Sequence, residues 1–341
     1  MIRSFSDSVF SLGSTHRFFH RTLSVYPSVM GIPVVDFSPY RLDQKKVSNS
    51  QLKNLTKDLK RAFTEVGFVV LTNTGITHEE VDCVMDISRK FFKQSEKLKL
   101  PFSRGNFSQS SNHGWVSLET ERLNPRRPGD LKEAFNVALL QSDIRWPSVE
   151  SKQKESFQDI HSSFFLRCKE LSLRVLRVMA HGLNLDPEVF VGPHRNIGTD
   201  KNSTALRSLY YPPVNSEEAK EGQLRCGEHS DYGSITLLFQ SSEGLEVLSR
   251  SGEYMAAPCI PGGVLVNIAD LMQRWTSDEF VSVRHRVLLP SSGDSRTRQS
   301  MAFFVHPDDE SLITCCDGSD KYPPVTAGDY LIERFKNSYG Q

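Results

Sequence analysis

Two periodicities divide the chain. Up to about residue 200 the apolar positions recur mostly at helical spacing, broken by short extended runs. Ile32-Pro33-Val34-Val35-Asp36-Phe37 predicts a first strand, a polar helix follows from Gln51 to Glu65, and Phe68-Val69-Val70-Leu71 predicts a second strand after Gly67. Thr77 with Glu80 forms a capping box, opening a helix that sets Val81, Val84, Met85, Ser88, Phe91 and Phe92 on one side. Ser103 to Asn124 is rich in Ser, Asn and Gly and has no period; a loop that long in a compact domain is usually functional or disordered. A long amphipathic helix is expected from about Ser151 to Gly182, with Ile160, Phe164, Cys168, Leu171, Val175 and Val178 as its buried stripe and Gly182 as its C-cap. Asp186-Pro187 then opens a short helix.

From Thr204 the period becomes two. Strands are expected at Leu206–Tyr211, Ser234–Phe239, Leu245–Leu248, Glu253–Ala256, Val264–Ile268, Ser282–Leu289 and Ser300–Val305, separated by Gly, Pro and Ser turns. Many short strands with frequent turns predict a sandwich or jelly roll. With the helices before them, the class is α+β with a mainly β core.

Charge narrows the function. Lys plus Arg and Asp plus Glu each number 41, which argues against the one-sided basic footprint of a nucleic-acid binder. No apolar run reaches the length of a membrane span. Six scattered cysteines without a CxxC point to a reduced, intracellular protein. Residues 1–30 hold Arg3, Arg17 and Arg21, many serines and one acid, Asp7, with Ile2, Phe5, Val9 and Leu12 at helical spacing. That composition fits either a mitochondrial transit peptide or an N-terminal extension outside the fold, so the expected compartment is cytoplasmic or mitochondrial.

The candidate chemistry starts at Gly227-Glu228-His229-Ser230-Asp231-Tyr232-Gly233. Residues two apart on a strand share a face, so His229 and Asp231 can aim an imidazole and a carboxylate at one point, with Glu228 on the other face. His285 is the natural third ligand. Two histidines and one carboxylate that leave positions open suit non-haem Fe(II) and O2. Arg298 and Ser300 are also two apart, and their guanidinium and hydroxyl suit a carboxylate.

Six segments, "IPVVDF", "AFTEVGFVVLTNTGI", "LYYPP", "GEHSDYGSITLL", "NIADLMQRWTSDEFVSVRHRV" and "RQSMAFFVHP", come in this order along the chain. In this the sequence resembles the isopenicillin N synthase-like Fe(II)/2-oxoglutarate-dependent dioxygenases over nearly its whole length from Ile32. The resemblance implies a double-stranded β-helix (jelly roll) with supporting N-terminal helices. It implies an N-terminal dioxygenase region at 31–150, beginning its next strand near Asp130, then a supporting helix region at 151–200. An Fe(II)/2-oxoglutarate dioxygenase domain at 201–310 and a C-terminal segment at 311–341 would follow. It further implies that His229, Asp231 and His285 hold Fe(II), that Arg298, Ser300 and Tyr211 anchor 2-oxoglutarate, and that decarboxylation of this co-substrate drives oxidation of a C–H bond in a small organic metabolite. Two departures stand out: Leu209 replaces an asparagine common in relatives, and the His285 to Arg298 spacing is longer, with the turn from Pro290 to Ser295 able to absorb the difference. Substrate candidates are Phe107, His113, Trp115, Trp275, Val283 and Phe304, each with core packing as its competing role. Three other readings stay open: a same-fold oxidase that does not use 2-oxoglutarate, a catalytically silent small-molecule-binding module, and a zinc hydrolase. No obligate protein partner is evident.

Overall fold

The computed structural model describes residues 31–106, 112–124, 127–140, 144–151, 154–293 and 296–339. The possible targeting segment, residues 1–30, and Phe107 lie outside them.

The first half is mainly helical. Strand β1 (Val34–Asp36) leads to α1 (Asn49–Glu65), β2 (Phe68–Thr72), α2 (His78–Phe92) and α3 (Glu96–Lys99). Two short strands, β3 (Gly114–Val116) and β4 (Glu133–Val137), precede the long α4 (Phe157–Gly182) and the single turn α5 (Glu188–Val191). Strands then dominate: β5 (Ala205–Tyr211), β6 (Cys226–His229), β7 (Ile235–Gln240), β8 (Leu245–Leu248), β9 (Tyr254–Ala256) and β10 (Val264–Ile268). After α6 (Asp270–Trp275) come β11 (His285–Val287), β12 (Arg298–Val305), the small pair β13 (Leu312–Ile313) and β14 (Val325–Thr326), and α7 (Ala327–Tyr339).

These strands build a jelly roll. Its larger sheet has eight strands in the order β1-β2-β10-β7-β12-β5-β4-β3, and its smaller has four in the order β6-β11-β8-β9. Strand β12 shows why the layers form. Its Met301, Phe303 and Val305 belong to the main apolar core, where Phe303 meets Phe165 of α4 with ring centroids 4.9 Å apart. Arg298, Ser300, Ala302 and Phe304, on the opposite face, line a cavity shared with the smaller sheet. Alternation of side chains along one strand thus separates structural core from chemistry. Helix α4 carries the aromatic packing on the core side, with Phe164 against Phe239 at 5.1 Å. Each fully buried Phe of this kind contributes about 1.5–3 kcal/mol.

Several boundaries differ from expectation, for physical reasons. Helix α4 starts at Phe157, not near Ser151, because Ser156 and Asp159 form a capping box and Glu150 bridges to Ser156 as extended chain. Gly182 is the last helical residue, and Asn184 takes the left-handed conformation at φ 58°. The Thr77–Glu80 capping box forms as expected. Gly114 to Val116, within the stretch expected to be irregular, pairs with β4 at the edge of the large sheet. The strand expected over Ser282–Leu289 is three residues long, and α7 is a helix that the apolar pattern does not predict.

Candidate metal centre and its cavity

Strands β6 and β11 pair antiparallel with His229 directly opposite His285, bringing the two imidazole centroids to 4.3 Å. Strand β6 ends at His229, so Asp231 stands in the following loop, not on the strand. Its Oδ1 nevertheless lies 3.7 Å from His229 Nε2 and 3.6 Å from His285 Nε2. Each of the three offers a ligand atom within 4.8 Å of the others, and no second such group of His, Cys, Asp or Glu occurs among the described residues.

The surroundings prepare these atoms for a cation. His229 Nδ1 is 2.8 Å from the Gly227 carbonyl and His285 Nδ1 is 3.1 Å from that of Val283. Those bonds place the ring proton on Nδ1 and leave the Nε2 lone pairs facing Asp231. Asp231 Oδ2 accepts from Thr236 Oγ1 at 2.7 Å and Asn267 Nδ2 at 2.8 Å, which fixes the carboxylate and frees Oδ1. Burial and the adjacent His285 push His229 down to about 3, outweighing the pull of Asp231, so the ring is neutral at pH 7. Burial alone would raise Asp231, but His285, His229, Asn267 and Thr236 hold it below the usual carboxylate range. A neutral His229 and an ionised Asp231 are in the states a metal needs, and the set of two imidazoles and one carboxylate fits Fe(II) with open positions.

A buried arginine lies in the same cavity. Arg298 is 1% exposed. Its Nε donates to the Glu243 carbonyl (3.1 Å), one terminal nitrogen to Gln240 Oε1 (2.8 Å), and the other approaches Ser300 Oγ at 3.4 Å. The guanidinium carbon is 5.0 Å from the ring centroid of Tyr211, whose phenol burial keeps protonated. Among the described residues no carboxylate pairs with Arg298. A buried cation whose described partners are neutral suits an anion.

The other candidates scatter. Phe304 lines the cavity. His113 does not: it is buried between Phe135 and Trp146, at 5.7 and 5.1 Å, and burial pushes it down to about 4. Trp115 turns into the core, its Nε1 donating to Glu133 at 2.7 Å. Trp275 packs edge-on against Phe190 at 5.0 Å. Val283 packs near Gly67, outside the cavity lining. These aromatic groups sit in the core because pairing of β3 with β4 and packing of α6 turn them inward. Sequence reasoning missed Phe68, edge-on to His285 at 5.5 Å, and both Leu331 and Phe335 of α7, which line the cavity. An apolar pair at i and i+4 near the chain end was the available signal. Glu228 points away, to Arg284 at 2.7 Å and the Tyr254 phenol.

Known proteins agree with this construction. The pattern of the 2OG-Fe(II) oxygenase superfamily matches residues 202–307, and that of the non-haem dioxygenase in morphine synthesis N-terminal region matches 32–161. The 2-oxoglutarate-dependent dioxygenase htyE of Aspergillus rugulosus is 29% identical over 89% of this chain and 95% of its own length. Proline hydroxylase buaE of Petromyces alliaceus is 32% identical over 82% of this chain and 92% of its own length. The crystal structure of a full-length Neurospora crassa protein in complex with alpha-KG superposes with a TM-score of 0.77 at 31% identity, covering 89% of this chain and 95% of that one. The same fungal protein has also been crystallised with alpha-KG and thymine together. The chain belongs to the 2-oxoglutarate-Fe(II) oxygenases and is an Fe(II)- and 2-oxoglutarate-dependent dioxygenase.

Proposed function

We infer that His229, Asp231 and His285 hold the iron, and that Arg298, with Ser300 and Tyr211, holds the distal carboxylate of 2-oxoglutarate. The observation that carries this assignment is one cavity containing both a convergent pair of imidazoles with a carboxylate and a buried guanidinium that no carboxylate pairs among the described residues. When bound, iron supplies the oxygen chemistry that couples 2-oxoglutarate decarboxylation to oxidation of a C–H bond. The protein's part is to fix the ligand atoms, orient the co-substrate and exclude water. Thr236 and Asn267 hold Asp231, the Gly227 and Val283 carbonyls hold the two rings, and Phe68 packs against His285.

The primary substrate is a small organic metabolite, neither nucleic acid nor membrane. Among the described residues no helix is long and apolar enough to cross a membrane. We place the enzyme inside the cell, in cytoplasm or mitochondria; a reporter fused to residues 1–30 separates the two.

The test is anaerobic iron binding together with succinate release. Alanine in place of His229, Asp231 or His285 should abolish iron binding and 2-oxoglutarate turnover while leaving a folded protein by circular dichroism. Undiminished Fe(II) binding without His285 overturns the triad. Iron binding without any 2-oxoglutarate-dependent succinate in the wild type overturns the co-substrate assignment and leaves an oxidase or a silent binding module.

A further inference from the structure

Strand β4 brings to the cavity wall a polar side chain that the iron and 2-oxoglutarate sites leave unused. Asn136 is 1% exposed and lines the cavity. Its Nδ2 donates to Asn112 Oδ1 at 3.1 Å. Its own Oδ1 is buried and accepts no hydrogen bond; among the described residues it is the only such side-chain atom on the cavity lining. Buried amide oxygens are normally paired, because one left dry and unbonded is costly. The fold accepts that cost here, beside the chemistry. The terminal torsion of asparagine is broad, so a small tilt presents Oδ1 to the cavity.

The register of the large sheet says what this oxygen can reach. Asn136 stands opposite Arg207 of β5, which stands opposite Ala302 of β12. Two strand spacings, about 9.5 Å, therefore separate Asn136 from Ala302. Phe304, next on the same face of β12, opposes Thr236, the residue that holds Asp231. A molecule bonded to Asn136 thus passes over the small side chain of Ala302, with its far end toward the metal ligands. Arg298 is four residues from Ala302 along β12, roughly 13 Å, so the 2-oxoglutarate anchor does not compete for this place. Phe304, Leu331 and Phe335 supply apolar surface around it.

An amide oxygen can only accept. We propose that Asn136 Oδ1 accepts a hydrogen bond from an N–H or O–H group of the primary substrate. The substrate is then a small, partly apolar molecule whose donor lies at the end away from the carbon that is oxidised. This deepens the reading of the cavity as the iron and 2-oxoglutarate site and rests on it. Asn112 positions the amide by taking its Nδ2, which leaves Oδ1 as the atom offered. A site built to bond a donor rejects the analogue lacking it far more strongly than it rejects a change in apolar bulk. Asn136 is on this account a specificity residue.

The experiment uses the full chain loaded with Fe(II) and 2-oxoglutarate under anaerobic conditions, following paramagnetic broadening of the ligand protons. The probe 3-phenylpropanamide is compared with 4-phenylbutan-2-one, and 2-phenylethanol with propylbenzene; in each pair a methyl group replaces the donor at nearly equal size. At least one donor probe should bind tenfold or more tightly than its partner, and the pair that shows this identifies N–H or O–H as the donor. Asn136→Leu should erase the preference, whereas one that came from shape or general polarity would survive it. Should that variant misfold by circular dichroism, Asn136→Ala takes its place with the same expectation. Donor probes that bind no better than their partners, no binding by any probe, or a preference that survives loss of the amide overturns the proposal. Titration of the wild-type Fe(II) protein with 2-oxoglutarate alone, run in parallel, reports separately on the co-substrate reading.

Discussion

Arg298 and Tyr211 stand directly opposite each other on β12 and β5, the guanidinium carbon 5.0 Å from the phenol ring centroid. The ring covers the arginine's face without neutralising it, and the neutral oxygens of Gln240 and Glu243 aim its fork. The charge is thus kept dry and kept available.

Arg298→Ala should therefore weaken 2-oxoglutarate by about two to four decades, since losing one partner of a buried charge pair costs about 3–5 kcal/mol. Arg298→Lys should recover only part, because an ammonium lacks the bidentate fork. Iron affinity without co-substrate should hardly change. Anaerobic titration of the Fe(II) protein with 2-oxoglutarate measures all three, and an unchanged alanine titration would remove Arg298 from the site.

Asn267→Ala leaves Asp231 Oδ2 with Thr236 as its remaining side-chain donor. The loosened carboxylate should lower iron affinity by about 10–100-fold, the usual effect of deleting a group that orients a ligand. Competition with a chelator of known affinity gives the number.

His161 is buried between Phe157 O at 2.8 Å and the Ser88 and Ser208 hydroxyls at 3.1 and 3.3 Å. Burial pushes it down to about 4, against the Phe157 bond, from an ordinary 6.5. The unfolded chain therefore binds more protons between these values, and the stability is present above about pH 6.5 and lost as pH falls through 4. His161→Gln should flatten the acid limb of stability, by up to a few kcal/mol. Urea unfolding of both proteins from pH 7.5 to 4.5 should show the difference shrinking as pH falls.

At Gly233, two residues after Asp231, a Cβ would lie 2.3 Å from the Val305 carbonyl oxygen and 2.9 Å from His306 Nδ1. Backbone cannot yield as a side chain does. Gly233→Ala should cost about 1–3 kcal/mol or more, and weaken iron by shifting the loop that carries Asp231. Chemical denaturation and metal binding should fall together.

Arg334 of α7 pairs with Asp270 at 2.5 Å and bridges toward Ser230. Arg334→Ala should leave the global unfolding midpoint nearly unchanged, because the pair is partly exposed. Protease cleavage within α7 should become faster, as local opening no longer has that tie to break. Mass spectrometry of a limited digest locates the cut.

The β half of the fold was legible because alternation every two residues survives in any half-buried strand. The convergence of His229 with His285 and the shared face of Arg298 and Ser300 were legible because the residue types that suit a metal or a carboxylate are few and their spacing is telling. The aromatic candidates were not. His113, Trp115 and Trp275 look alike in sequence whether they face a cavity or a core, and only the pairing of β3 with β4 and the packing of α6 decide. Phe68 hides within an all-apolar strand, where period carries no face information. Leu331 and Phe335 of α7 gain meaning as cavity-facing residues only once the barrel exists.

Strand β12 carries Arg298, Ser300, Ala302 and Phe304 on one face and is paired on both edges, with β5 and β7. Deleting a single residue within it would turn every side chain on one side of the deletion to the opposite face. Changes of chain length near Arg298 are therefore expected to be confined to the turn before it. Descendants of this sequence can vary that turn freely, whereas β12 must be inherited at constant length, changing by substitution alone.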